Sequence, residues 1–180
     1  MLPVSRLGDA SRLPGFPSLV PFTAFIDRFV TMSLSSYPVF RCLLVEDNDD
    51  HAALVERFTE RSDQPIQFTR LRDGEEACQF VRGEPPFKGE RPHLIMLDLN
   101  LPKRSGHEVL ETIKSLERCR SIPVVILSSS TVSSDIELAY RRHANSYLTK
   151  PTSLSQFRDL IADVMRYWGL RNLSPTPELS

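Results

Sequence analysis

Residues 94–102 read Leu-Ile-Met-Leu-Asp-Leu-Asn-Leu-Pro, and the rest of the chain can be arranged around them. Four apolar residues lead into Asp98, and Pro92 and Pro102 bound the run. A run this short and this uniformly apolar is typical of a strand that is buried on both faces. In open α/β sheets, ligands bind at the carboxyl ends of the strands. The stretch therefore predicts a buried strand that presents the Asp98 carboxylate where such a fold binds its ligands.

Short strand-like runs and helical patterns alternate over the following and preceding residues. Strands are predicted at residues 42–45, 66–71, 94–97, 123–127 and 145–149, and helices at 51–61, 75–82, 106–119, 134–142 and 153–168. Asp49 or Asp50 is the expected N-cap of the first helix, and Gly169 is expected to end the last helix. This alternation favours right-handed crossovers. The predicted class is α/β, a doubly wound sheet of five parallel strands with helices on both faces.

The composition excludes several function classes. Hydrophobic content of 41%, charged content of 25% and a net charge of -1 are ordinary for a globular protein and give no signal for nucleic-acid or membrane binding. Cys42, Cys78 and Cys119 lack metal-ligand spacing, and the four histidines are scattered, so no zinc site is predicted. His51 and His107 are expected on the surface. No run approaches the ~20 apolar residues of a membrane span.

The chain is predicted to have three parts. Residues 1–38 are rich in proline and are expected to form an N-terminal extension that is flexible or partly helical. Residues 39–169 carry the alternating pattern and suffice for one domain. Residues 170–180 are expected to form a loose tail, because Pro175 and Pro177 interrupt them.

Polar residues directly follow four of the predicted strands. Glu46 and Asp47 follow the first strand, Asp98 the third, Ser128 the fourth and Lys150 the fifth. The carboxyl ends of parallel strands meet at one edge of the sheet, which we call the carboxyl edge. We therefore expect three carboxylates, a hydroxyl and an ammonium to converge there.

Three carboxylates in one place repel each other. A pair ~4 Å apart costs ~1 kcal/mol in water and ~4 kcal/mol at an effective dielectric constant near ~20. Such a cluster needs a cation, and oxygen ligands with room for water suit Mg²⁺. Asp47 and Asp98 are the expected ligands. Glu46 would bind directly or through water, and the backbone carbonyl near Asn100 would complete the set.

An aspartate beside a divalent ion can act as a nucleophile toward phosphorus. Positioning and charge neutralisation do most of the work in phosphoryl transfer. Asp98 is then the expected phosphoryl acceptor, and Lys150 and Ser128 are the expected donors to the phosphoryl oxygens. Taken singly, each residue has a simpler interpretation: Asp98 as a helix cap or loop acid, Lys150 as a surface lysine and Ser128 as part of a capping run.

Taken together, these residues resemble the receiver domain of response regulators in two-component signalling. The residues that carry the resemblance, within about 41–168, are Glu46-Asp47, Asp73-Gly74, Asp98, Asn100, Pro102, Gly106, Ser128 and Lys150-Pro151. The run at residues 98–102, the proline-containing loop at 84–92 and the last helix are most similar to single-domain regulators that partner bacterial phytochrome-type kinases. The resemblance implies a flavodoxin-like (βα)5 fold with strand order 2-1-3-4-5.

The resemblance also implies roles for individual residues. Asp98 would accept a phosphoryl group from a phosphohistidine of a sensor histidine kinase, and Glu46 and Asp47 would hold the metal ion. Ser128 would turn toward the phosphoryl group, and Tyr147 would change rotamer behind it. The fourth helix, fifth strand and fifth helix would then present a new surface for homodimerisation or partner binding. The protein would be a cytoplasmic signalling protein and not an enzyme, with slow self-dephosphorylation and no nucleic-acid or membrane partner.

Two positions depart from the family pattern, and two other function classes stay open. Glu46 stands where aspartate is common and Ser128 where threonine is, and both substitutes keep the needed chemistry. One alternative is an adaptor of receiver shape that binds partners without phosphorylation. The other is a phosphohydrolase of the haloacid-dehalogenase type, which needs a second aspartate as general acid where this chain has Asn100. Too few residues follow Trp168 for an output domain, so a single-domain regulator is expected.

Overall fold

The structure, a computed structural model, describes residues 39–60, 64–87 and 91–172. The predicted N-terminal extension, residues 1–38, lies outside the described residues. Most of the predicted tail, from residue 173 onward, also lies outside them. The division of the chain at residues 38 and 169 therefore stays a prediction.

Five strands form one parallel sheet. They are β1 (Phe40–Val45), β2 (Ile66–Leu71), β3 (Leu94–Leu97), β4 (Val124–Ser128) and β5 (Ser146–Thr149). Every neighbouring pair is parallel, and the order is β2-β1-β3-β4-β5. The predicted α/β class and strand order are confirmed.

Helices cover both faces of this sheet. They are α1 (Asp49–Thr59), α2 (Gly74–Arg82), α3 (Gly106–Ser115), α4 (Ser133–Arg141) and α5 (Leu154–Met165), which continues into a π-helical turn at Arg166–Arg171. Alternate residues of β3 belong to different cores, since Ile95 and Leu97 pack with α2 and α3 while Leu94 and Met96 pack with α1 and α5. Within the described ranges, no helix has both the length and the apolar character to cross a membrane.

Three predicted helix ends were wrong. Asn48, and neither Asp49 nor Asp50, caps α1: its side chain accepts the His51 N–H at 2.9 Å. The third helix ends at Ser115 and not at residue 119, because Leu116 adopts extended backbone and a series of turns follows.

The C-terminal helix also ends differently from the prediction. Gly169 lies inside the π-helical turn and does not stop it. A Cβ at this position would lie 2.8 Å from Gln64 Oε1. Glycine at this position therefore leaves room for the Gln64 side chain, and the backbone does not adopt a positive φ here.

The central strand and the start of α3 are packed closely at the carboxyl edge. Ser105 and Glu108 form a reciprocal capping box at the start of α3. A Cβ at Gly106 would lie 2.1 Å from the backbone oxygen of Asp98, so only glycine allows this approach. The Gly106 N–H donates to the Leu99 backbone oxygen at 2.9 Å. These contacts fix the backbone on which Asp98 is presented.

Candidate functional site

The strand register brings the predicted site residues to one place. Val45 pairs with Leu97, and Leu97 pairs with Ile126. The next residues, Glu46 and Asp98, therefore leave β1 and β3 side by side. The backbone continues the pairing beyond the strands, since the Asp98 N–H donates to the Val45 oxygen at 3.0 Å.

Lys150 joins the two buried carboxylates of the site. Its Nζ lies 2.6 Å from Glu46 Oε2 and 2.5 Å from Asp98 Oδ2. The side chains of Lys150, Glu46 and Asp98 are only 6%, 2% and 8% exposed. Removing charges from water costs several kcal/mol per ion unless they are paired. The contacts among the three groups therefore offset the cost of burying them.

Asp47 adds a third carboxylate next to this pair. One oxygen each from Glu46, Asp47 and Asp98 lie within 4.8 Å of one another, and Asp47 is exposed. The three carboxylates outweigh the one ammonium of Lys150, which leaves an excess of negative charge for a divalent cation to neutralise. An all-oxygen set with an open, solvent-facing side suits a hard cation that keeps some of its water. The residues present therefore fit a divalent metal ion.

Asn100 contacts the expected acceptor through its backbone. Its N–H donates to Asp98 Oδ1 at 3.1 Å, so both oxygens of Asp98 have a hydrogen-bond donor. The Asn100 side of the loop is exposed. That the backbone carbonyl of Asn100 binds the metal ion stays a prediction.

Ser128 and Tyr147 belong to an adjoining hydrogen-bond network. The buried Ser128 Oγ accepts the Ser130 N–H at 3.2 Å, and the Ser130 hydroxyl donates to Asp135 Oδ2 at 2.6 Å. The Tyr147 hydroxyl donates to the Ser130 backbone oxygen at 2.9 Å. The Lys150 N–H donates to the Ser128 backbone oxygen at 2.8 Å, which links this network to the acidic cluster. The loop after β4 is thus tied to both Tyr147 and α4.

Two residues contact the site that the sequence analysis did not assign to it. His51, predicted on the surface, places Nδ1 3.3 Å from both Glu46 Oε1 and Lys150 Nζ, and its side chain is 42% exposed. Arg70 of β2 bonds to the loop that contains Glu46 and Asp47. The sequence could have indicated that Arg70 points inward, because the alternation along this strand places it on the same face as Ile66 and Phe68.

His107, also expected on the surface, is partly buried. Both of its ring nitrogens are buried and have no hydrogen-bond partner among the described residues. Burial lowers the pKa of His107, and the nearby Arg142 lowers it further, while Asp135 acts in the opposite direction. These surroundings disfavour the protonated form of His107 at the start of α3.

Comparisons with known proteins agree with this geometry. The sequence model of the response regulator receiver domain matches residues 42–162. A probable methanogenesis regulatory protein, FilR2 of Methanothrix harundinacea, is 44% identical over 138 residues, which cover 77% of this chain and 89% of FilR2. Response regulator Rcp1 of Synechocystis is 37% identical over 138 residues, which cover 76% of this chain and 94% of Rcp1.

Solved structures give the same result. The phosphorylated cyanobacterial phytochrome response regulator RcpA superposes with a TM-score of 0.75 at 38% identity, covering 77% of this chain and 100% of RcpA. The Mn²⁺-bound form of Rcp1 superposes with a TM-score of 0.74 at 35% identity, covering 76% of this chain and 99% of Rcp1. The predicted resemblance to regulators of phytochrome-type kinases is confirmed, and the chain belongs to the response regulator receiver domain family of two-component signalling proteins.

Proposed function

We propose that Asp98 accepts a phosphoryl group from a phosphohistidine of a sensor histidine kinase, and that Glu46, Asp47 and Asp98 hold Mg²⁺ for this reaction. The observation that carries the proposal is the contact of one buried ammonium, Lys150, with two buried carboxylates beside the exposed Asp47. A structural ion pair needs one carboxylate. The surplus negative charge at a solvent-facing edge suits a site that binds a cation and a phosphoryl group.

Each residue has a part in the transfer. A carboxylate oxygen of Asp98 attacks phosphorus, the new O–P bond forms, and the P–N bond to the kinase histidine breaks. Lys150, already within hydrogen-bond distance of Asp98, donates to a phosphoryl oxygen and offsets its charge. Bound Mg²⁺ supplies the remaining charge neutralisation. Asn100 donates to Asp98 through its N–H and offers no acid for rapid hydrolysis, which favours storage of the group over turnover.

The signal would leave the site through the loop after β4. Ser128 lies at the carboxyl end of β4, and its hydroxyl would turn from the Ser130 N–H toward the phosphoryl group. This movement would disturb the bonds from Ser130 to Asp135 on α4 and from Tyr147 to Ser130. The face formed by α4, β5 and α5 would change as a result, for a homodimer or a downstream partner.

The relatives support a kinase of the phytochrome type. RcpA and Rcp1 share 38% and 35% identity with this chain in their superposed structures, and RcpA is a cyanobacterial phytochrome response regulator. We therefore propose a phytochrome-type sensor histidine kinase as the phosphoryl donor.

The acceptor role is tested by treating the protein with acetyl phosphate and Mg²⁺ and measuring the intact mass. Wild type should gain one phosphoryl group, and Asp98→Asn should gain none. Asp50→Asn is the matched control, because Asp50 is an exposed carboxylate of the same acidic run, and it should behave as wild type. Chelation of Mg²⁺ should prevent the modification. An unmodified wild type would contradict the proposal and favour the phosphorylation-independent adaptor.

A further inference from the structure

Through its side chain, Arg70 donates three hydrogen bonds to the acidic segment that follows β1 and begins α1. It pairs with Leu44 in the sheet, so its side chain passes the end of β1. Its Nε donates to the Glu46 backbone oxygen at 3.1 Å and its Nη2 to the Asp47 backbone oxygen at 3.2 Å. Its Nη1 donates to Asp49 Oδ1 at 2.6 Å. The side chain is only 16% exposed.

The two backbone contacts lie on either side of Asp47. The Glu46 oxygen belongs to the peptide group before the Asp47 Cα, and the Asp47 oxygen belongs to the peptide group after it. Because each peptide group is planar, only φ and ψ of Asp47 relate the two groups. A rigid guanidinium that binds both oxygens therefore restrains both angles, and with them the direction in which the Asp47 side chain leaves the backbone.

Asp47 needs this restraint more than its neighbours do. Glu46 and Asp98 are buried and are held by Lys150, whereas Asp47 is exposed. We infer that Arg70 is a positioning residue for the metal ion: it fixes the backbone on both sides of Asp47 and so holds this carboxylate toward Glu46 and Asp98. The inference rests on the proposed function, because it assumes that these carboxylates bind a divalent ion.

The positive charge of Arg70 acts in the opposite direction, since it repels a cation. Asp49 offsets this charge through its ion pair with Arg70. The two effects can be separated because lysine keeps the charge but cannot reproduce the planar fork that reaches several acceptors at once. If positioning dominates, Arg70→Lys weakens metal binding. If repulsion dominates, Arg70→Lys changes little and Arg70→Met strengthens it.

Arg72 offers a matched control on the same strand end. Its Nη1 lies 2.6 Å from the same Asp49 Oδ1, and its side chain is 60% exposed. Among the described contacts of the Arg72 side chain, none is with a backbone oxygen of the acidic segment. Arg72→Met therefore removes a cation from the same neighbourhood without removing the restraint on Asp47.

The experiment measures Mn²⁺ binding by electron paramagnetic resonance of the free ion, with the full chain in each case. Arg70→Lys and Arg70→Met should each raise the Kd for Mn²⁺ about ten-fold or more, as loss of groups that orient metal ligands typically does. Arg72→Met should leave the Kd close to that of wild type. Circular dichroism without metal checks folding. If Arg70→Lys does not fold, Arg70→Gln replaces it with the same expected loss.

Each other outcome overturns the inference in a distinguishable way. A wild-type Kd in the folded Arg70→Lys variant, which keeps the charge, shows that the restraint is not needed, and a Kd at or below the wild-type value in Arg70→Gln shows that it does not dominate. Tighter binding by Arg70→Met shows that repulsion dominates. If Arg72→Met raises the Kd for Mn²⁺ as much as the Arg70 variants do, the effect comes from any change at the end of β2 and not from the restraint on Asp47. If wild type itself binds no Mn²⁺, the proposed metal site fails, and the role of Arg70 fails with it.

Discussion

Lys150 and Lys114 lie at opposite edges of the same sheet and bind different kinds of oxygen. At the carboxyl edge, Lys150 contacts the carboxylates of Glu46 and Asp98. At the other edge, where the strands begin, the acceptors of Lys114 among the described residues are all neutral oxygens. Its acceptors are the backbone oxygens of Arg120 and Ile122 and the side-chain oxygen of Asn145, at 3.2, 2.9 and 3.1 Å.

The difference lies in the charge of the partners. Burial lowers the pKa of Lys114 to about 8, since no carboxylate among its described contacts offsets the loss of water. Lys114 holds together the segments that lead into β4 and β5, and three neutral acceptors suffice for that. Lys150 sits among charges that exceed its own, which structural support does not require. A buried lysine therefore indicates a functional site when the carboxylates around it carry more negative charge than its ammonium can neutralise.

Replacing Lys150 should have the largest effect. Lys150→Met removes the ammonium that faces Asp98 and leaves two buried carboxylates facing each other. Phosphorylation by acetyl phosphate at saturating Mg²⁺ should slow about 100- to 1000-fold, the usual cost of losing one donor to a developing charge. The rate is followed by intact mass. If a folded Lys150→Met variant is modified at the wild-type rate, Lys150 has no role in phosphorylation, and the two lysines do not differ in function.

Replacing Lys114 should give the opposite pattern. Lys114→Met leaves carbonyl oxygens at the start of β4 and β5 without their donor, which should lower the free energy of unfolding by about 1–3 kcal/mol. Urea denaturation measures this loss. The phosphorylation rate of the folded variant should stay at the wild-type value, because the described contacts of Lys114 all lie at the opposite edge of the sheet. A slowed rate without a stability loss would reverse the assignment.

The contrast between the lysines also explains what the sequence could predict. Lys150 follows a strand and precedes Pro151, so its place at the carboxyl edge could be inferred from the order of elements. Lys114 could not be assigned, because its acceptors are mostly backbone oxygens that any residue supplies. The parallel sheet and its carboxyl edge follow from an alternation of strands and helices that many residues share. The strand order came from the family resemblance, and it was confirmed.

Local competition explains the errors. Asn48, Asp49 and Asp50 are three adjacent residues that can each cap a helix, and sequence alone does not rank them. The π-helical turn contains Gly169, which approaches Gln64, a residue distant in sequence. The pKa of His107 likewise depends on residues distant in sequence, since Arg142 lowers it and Asp135 raises it. Such tertiary contacts cannot be read from local periodicity.

A smaller effect is expected from His107, a partly buried group whose ring nitrogens have no hydrogen-bond partner in the described part of the chain. Its pKa in the folded chain lies below the ordinary 6.5, so the unfolded chain binds more protons as pH falls through that value. The stability contributed by neutral His107 is therefore present above pH 6.5 and is lost below it.

His107→Leu isolates this contribution. From pH ~7.5 to pH ~5.5, wild type should lose more unfolding free energy than His107→Leu, by well under the ~1.4 kcal/mol per pH unit of one fully linked proton. Urea denaturation at several pH values gives the difference. Parallel pH profiles for the two proteins would show that His107 is not held neutral by its surroundings.

The central claim is that the charges of the carboxyl edge serve phosphoryl acceptance at Asp98. The most direct test is to phosphorylate wild type with acetyl phosphate and Mg²⁺, reduce the product with borohydride and sequence it by tandem mass spectrometry. Borohydride converts an aspartyl phosphate to homoserine, so phosphorylation of Asp98 should yield homoserine at position 98. Homoserine at another aspartate, or a phosphoryl group found on a serine or histidine with Asp98 unchanged, would contradict it.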